Sequence, residues 1–354
     1  MSEQRNNDKI IFIKAVIEIK VFVPTYFDKF RCIADKCPDT CCVGWEVDID
    51  EETAEKYSKV DGDLGNKIRK HLTHDETGCN IFTLCEGDRC PFLNNCNLCE
   101  IQAEKGENFL SKTCTLFPRF FDDFGSFREM GLGFGCPEGA KIILSEKEPF
   151  TLKPYDECDC ESTDIDEQLL DTLTTLRNGI FAVLEKNELS FKEKAKNILD
   201  MAKKVQRELD GDEFADETQH RDFGTCLTIL ENMEYISVER REFIQNLKTK
   251  TLSSNALNIY QSDFEKLMKY YVFRYLLKAV YDYDVLTKVK YGIFACIVIS
   301  RIYAFFENPD FETRVKIMYS FSKEVEYSDV NIDFLDESLY NSFSTEDLLS
   351  LWLN

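Results

Sequence analysis

The rhythm of apolar positions changes about halfway along this 354-residue chain. In the second half they recur at helical spacing almost without a break. Leu169, Leu170, Leu173, Leu176, Ile180, Phe181 and Leu184 trace one amphipathic face, and Phe191, Ala195, Ile198, Leu199 and Ala202 trace another. Further helices are expected over about 223–247, 262–282, 285–307 and 310–325, so this half reads as an α-bundle. The first half is less regular. Residues 10–23 form an apolar, β-branched run broken by Lys14, Glu18 and Lys20. It predicts a strand, or a tail leading into one, and Pro24 ends it because proline lacks the amide hydrogen and fixes φ. Asp50 has N-cap chemistry for a short helix over 51–60, where acidic residues favour the positive helix end.

From Asp61 to Cys114 turn residues alternate with short apolar pieces. Gly78, Gly87, Pro91 and Asn94-Asn95 mark loops, while Ile81-Phe82 and Phe92-Leu93 pin a small core. A helix starting near Ser111 is interrupted by Pro118, and residues 120–134 read as a hairpin turning at Gly125-Ser126. The polar, acidic stretch around 145–165 marks a boundary. The expected architecture is α+β: a tail or strand over 1–20, an irregular cysteine-rich metal-binding domain over 21–160, and a mainly α-helical domain over 161–354.

Composition narrows the function. With 44% hydrophobic residues, 28 Phe and 15 Tyr, core supply is ample. A formal charge of -22 and no Lys/Arg cluster exclude nucleic acid, which needs a basic footprint. The longest apolar runs, Ile10–Ile13 and Tyr291–Ser300, are too short to span a bilayer, and residues 1–9 lack the pattern of a secretion signal. A cytoplasmic protein without membrane partners is expected.

In a reducing compartment, 15 cysteines point to metal binding or catalysis rather than disulfides. Cys226 and Cys296, alone in apolar helices, read as small buried hydrophobes. Cys32-x4-Cys37-x3-Cys41-Cys42 is different: charged and turn-forming residues separate its thiols, which suits a thiolate nest for a soft metal. Its spacing is neither the C-x2-C of a zinc ribbon nor the Cys-x3-Cys-x2-Cys of a radical cluster. Zinc requires a closed four-coordinate site, whereas an iron–sulfur cluster also takes thiolates from distant segments. Spacing leaves both open.

Other patterns carry less. Glu129-Met-Gly-Leu-Gly-Phe-Gly135 resembles a Rossmann-type methyltransferase turn, but no alternating βα pattern follows, so a glycine-permitted approach of backbone to the metal cluster, or a tight turn, is the better reading. His71 and His74 would face one another only on a helix, and His220 stands among charges. On the helix beginning near Phe264, Tyr271, Arg274, Tyr275, Lys278 and Asp282 share one face. This stripe is either a solvated face with a salt bridge or the wall of a substrate channel, and Tyr271, Arg274, Tyr275 and Asp282 are the catalytic candidates.

Several segments together resemble one family. They are Tyr26–Cys32, Cys37-Pro-Asp-Thr-Cys-Cys-Val-Gly-Trp45 through Asp50, Cys90-Pro-Phe-Leu93, Leu98–Gln102, Gly106–Arg119, Cys136-Pro-Glu-Gly-Ala140 and Tyr271–Asp282. In this order they resemble the flagellin lysine-N-methylase family. The resemblance implies methyl transfer from S-adenosylmethionine to flagellin lysine side chains, by an enzyme with an iron–sulfur cluster, most simply 4Fe-4S, or zinc in its place. The matching thiols are Cys32, Cys37, Cys41, Cys42, Cys90, Cys99, Cys114 and Cys136, more than the four one cluster needs. Cys79, Cys85, Cys96, Cys158 and Cys160 fall outside the match. The rival expectation is a non-enzymatic zinc- or iron-binding interaction protein.

Overall fold

The computed structural model describes residues 16–161, 164–235, 238–249 and 259–352. Its strands are β1 (Val16–Pro24), β2 (Leu72–His74), β3 (Asn80–Phe82), β4 (Arg119–Phe124), β5 (Phe127–Leu132) and β6 (Leu152–Glu161). One sheet has the order β4-β5-β1-β6, and β2 and β3 form a separate ribbon. β1 runs parallel to β5, with Lys20 opposite Phe127, and antiparallel to β6, with Val16 opposite Glu161. The expected hairpin is present: β4 and β5 pair around Gly125, whose φ of 61° a glycine adopts without strain.

Ile19, Val21 and Val23 are buried along β1 while Lys20 is exposed, the two-residue alternation of a half-buried strand. Val21 and Val23 pack with Phe124, Leu132 and Phe134 into the same core as the helices. At the centre of that core lies the helix Val285–Phe305, in which every residue from Val285 to Tyr303 is buried. A helix apolar on all sides belongs inside a bundle. Its cations reach polar groups: the Lys290 amine donates to the Phe343 carbonyl at 2.6 Å. Among the described residues no helix is long and apolar enough to cross a membrane.

A second, smaller core lies under the cysteine-bearing loops. Val47, Ile49, Tyr57, Val60, Leu64, Ile68, Phe82, Phe92, Leu93 and Ile101 build it, with Cys90 among them. Its first helix, Glu51–Ser58, starts as expected, the Asp50 carboxylate accepting from the Thr53 amide.

Within the described residues the first strand runs from Val16 to Pro24, and the expected residues 10–15 lie outside them. The stretch around 145–165 is not only a connection: after the helix Pro137–Ser145, β6 forms the sheet edge along β1. A polar, acidic strand suits an edge, where little burial is demanded of its side chains. The expected helix over 223–247 is two, Phe223–Glu231 and Val238–Thr249. That over 262–282 runs Gln261–Tyr275, tightens through Leu276–Lys278 and ends as Ala279–Asp282, closed by Tyr283 at φ 62°. Two more helices, Asp329–Ser342 and Thr345–Ser350, follow the last one expected.

Candidate functional site

Backbone pairing carries the first thiols to the second group. The Cys90 amide donates to the Cys42 carbonyl at 2.8 Å, and the Gly44 amide to the Asp88 carbonyl at 3.0 Å, so the Cys41-Cys42 loop lies along the segment 88–90. Cys99 bridges to Leu93 and N-caps the helix Glu100–Lys105. Cys114 occupies the first turn of Lys112–Leu116, its amide donating to the Ser111 hydroxyl at 3.2 Å. Cys136 precedes the helix Pro137–Ser145, where proline fits the first turn. Cys42, Cys99 and Cys114 all pack against the small core that contains Cys90.

Electrostatics shows which thiols feel one another. Cys42's hydrogen bond raises the Cys41 thiol well above its ordinary range. Cys42 itself is lowered by Cys41, but the hydrogen bond of Cys90 and burial outweigh this and push it up to about 12. Burial pushes Cys114 up to about 11, helped by the charges of Cys41 and Cys99. Burial also raises Cys99 and Cys37, and pushes Cys136 up to about 12, with Cys41 again a neighbouring charge in each case. Cys41 is therefore the hub. Cys42, Cys90, Cys99 and Cys114 lie toward the small core, and Cys37 and Cys136 border Cys41 separately, with Cys32 next to Cys37. Among the described residues, no three Cys, His, Asp or Glu side chains form a single-ion arrangement.

Cys79, Cys85 and Cys96 are exposed, and Cys226 and Cys296 are buried in the helical core. The backbones of Cys158 and Cys160 pair with Ile19 and Ile17 in the sheet, while their side chains lie outside the described residues. His71 ends a helix and His74 ends β2, so the two do not share a helical face.

Beside the thiols lies a buried carboxylate that sequence reasoning missed. Glu326, 3% exposed, accepts from the phenols of Tyr270 at 2.6 Å, Tyr271 at 2.9 Å and Tyr275 at 3.1 Å. The Arg274 guanidinium donates to it at 2.8 Å. Burial drives these three phenols well above their ordinary pKa, so they remain protonated donors. Three of the four catalytic candidates thus converge on one point. The fourth does not: Asp282 pairs with Lys288 at 3.0 Å, and Lys278 pairs with Asp122 at 2.9 Å. The signal was the stripe itself, since an arginine among tyrosines on a buried helix demands a counter-charge from elsewhere.

The next residue joins this network to the thiols. Tyr327 stacks on Trp45 at 5.5 Å between ring centroids and packs against Phe117 at 5.6 Å. It also explains part of the glycine series: a side chain at Gly133 or Gly135 would collide with the Tyr327 ring, and one at Gly131 with Phe120 and Phe273. Glu129 forms a buried, two-bond ion pair with Arg177 at 2.6 and 2.8 Å. The space left by these glycines is filled by aromatic rings.

No solved structure is similar to this chain. Lysine-N-methylase of Salmonella typhimurium is 29% identical over 140 residues, 38% of this chain and 35% of the relative, and that of Salmonella choleraesuis matches to the same extent. The match thus spans about a third of the length of these two relatives. Flagellar biosynthetic protein FliU of Salmonella muenchen is 30% identical over 141 residues, 38% of this chain and 83% of that protein. The family pattern described as FliB lysine N-methylase C-terminal domain covers residues 160–351, the helices that hold Glu326 and its partners. On that coverage the chain belongs to the FliB lysine N-methylase family.

Proposed function

We propose that the chain is a protein-lysine N-methyltransferase that moves a methyl group from S-adenosylmethionine to lysine side chains of flagellin. We further propose that its thiol patch holds an iron–sulfur cluster. The observation that carries the reading is the gathering of thiols from four separate segments around Cys41, against helices that carry the family pattern. The names of the relatives supply lysine methylation and the flagellum.

The donor set suits such a cluster. Cys41 stands beside Cys42, Cys90, Cys99 and Cys114 on one small core, and these soft ligands would supply the four that hold it. An iron–sulfur cluster takes its thiolates from distant segments, as these four segments are, whereas zinc needs a closed four-coordinate site. When bound to these thiolates, such a cluster would supply redox chemistry at the site. For the transfer itself the lysine amine must lose its proton, its ordinary pKa being near 10.4. Its lone pair then forms the N–C bond as the C–S bond of the sulfonium breaks, releasing the thioether. Glu326 accepts from four donors and braces the site. A net charge of -22 suits a partner with exposed lysines.

The test is an anaerobic assay with labelled S-adenosylmethionine and the flagellin of the same organism, with iron and zinc quantified on the same sample. Methyl incorporation by iron-bearing protein is expected. Stoichiometric zinc without incorporation would replace this reading with that of a metal-stapled interaction module.

A further inference from the structure

The segment between Cys37 and Cys41 is held by a residue far away in sequence. The Lys323 amine donates to the Thr40 carbonyl at 2.7 Å and to the Asp39 carboxylate at 3.1 Å. It also sits over the Trp45 ring at 5.2 Å from the centroid. Lys323 lies in the last turn of the helix Phe311–Val325, and Tyr327, four residues on, stacks on the same tryptophan. Between them Glu326 points the opposite way, into Tyr270, Tyr271, Arg274 and Tyr275. The five residues 323–327 therefore form a splint, with one charged side chain anchored in the helical core and the other gripping the thiol loop.

We propose that Lys323 is the positioning residue of the thiol patch: it fixes the Cys37–Cys42 loop so that Cys41 and Cys42 face the thiols of the later segments. At its far end the loop is tied to segment 88–90 through the Cys42 carbonyl, which accepts from the Cys90 amide at 2.8 Å. Before Cys42 its own hydrogen bonds are short-range, a single turn at Ala34–Lys36 and the Cys42 amide donating to the Thr40 hydroxyl at 3.1 Å, and Cys37 and Cys42 are only half-buried. An amine that binds a backbone carbonyl, a carboxylate and an aromatic face together removes rotational freedom from all three. The inference rests on the reading of these thiols as metal ligands, and it assigns the helical half a part in building that site.

The experiment uses the full chain purified anaerobically, with hydrogen exchange followed by mass spectrometry and metal content measured on the same samples. Lys323→Met keeps the apolar stem and removes the charge, Lys323→Arg restores a donor, and Lys316→Met, exposed on the same helix, controls for net charge. Lys323→Met is expected to speed exchange in the peptide covering 37–45 severalfold and to lower bound metal, with Lys323→Arg restoring both and Lys316→Met changing neither. Should Lys323→Met unfold the helices, Asp39→Asn weakens the same grip from the loop side and is expected to speed the same exchange to a smaller degree. Wild-type exchange and metal content in both Lys323→Met and Asp39→Asn would overturn the proposal. Wild-type protein with neither iron nor zinc, but with the exchange contrast intact, would leave the positioning role standing and overturn the metal reading beneath it.

Discussion

The two cores of this molecule solve the same problem with different means. The helical core buries long periodic faces, and the Val285–Phe305 helix is wrapped on every side. The small core under the thiols is built from helices of six to ten residues, two three-residue strands and pinned aromatics such as Tyr57, Phe82 and Phe92. The first stands on apolar area, although it also buries polar atoms without a hydrogen-bond partner, among them the Tyr291 and Ser322 hydroxyls and the Trp352 indole nitrogen. In the second, several thiols are left protonated side by side at its margin. Short elements with little apolar area gain the most from cross-links, and thiolate–metal bonds are such cross-links. The splint thus reaches out from the helical core, and the thiols sit at the margin of the smaller one.

The comparison breaks hardest at Glu326. Replacing it by Ala leaves the Arg274 charge and three phenols buried without their acceptor, and losing one partner of a buried pair costs about 3–5 kcal/mol. Denaturant unfolding is expected to show that loss in the helical signal. Cys42→Ala or Cys99→Ala should do the reverse: bound metal falls with protection of the region 32–116, while far-UV helicity persists. Equal loss in both regions from either change would mean that the two cores unfold as one.

How far this division was legible depends on period. Leu169 to Ala202 could be assigned because a 3.6-residue repeat survives many turns, and Asp50 because a cap is local chemistry. β6 was not legible: Leu152–Glu161 looks like a solvated linker until β1 supplies the partner. The break in the expected helix over 223–247 was likewise hidden in a run of helix-compatible residues. Among the thiols, sequence order marked separate blocks, and only the fold sets Cys41 between the later segments. Glu326 and Lys323 were invisible for one reason: in an ordinary helix end, Lys-Glu-Val-Glu-Tyr looks like solvated charge, and the partners lie some fifty residues or nearly three hundred residues away.

Acid should also distinguish the cores. Burial raises Asp216, but Lys203, Thr345 and Lys290 together outweigh it and leave the carboxyl below its ordinary range. A depressed folded pKa means stabilisation that is complete above the unfolded value near 3.9 and lost as pH falls through the folded one. Thermal melts of the helical signal are expected to drop over that window, and Asp216→Asn to flatten the drop while lowering stability at neutral pH. A wild-type slope in Asp216→Asn would assign the acid sensitivity elsewhere.

The smallest effect sharpens the contrast most. Cys226 and Cys42 are both thiols with a raised pKa, but Cys226 sits fully buried with Leu227, Ile229 and Leu230, and burial alone dominates its shift. Cys226→Ala removes one sulfur from a packed site, which costs about 1 kcal/mol and leaves bound metal untouched. Cys42→Ala removes a similar volume from a less tightly packed place, so its packing cost is no larger; its cost in metal should be nearly complete. Measured on one preparation, the ratio of metal lost to stability lost separates a ligand from a core residue without knowing which metal is bound. Matching ratios for the two variants would make the thiol patch packing rather than a ligand set.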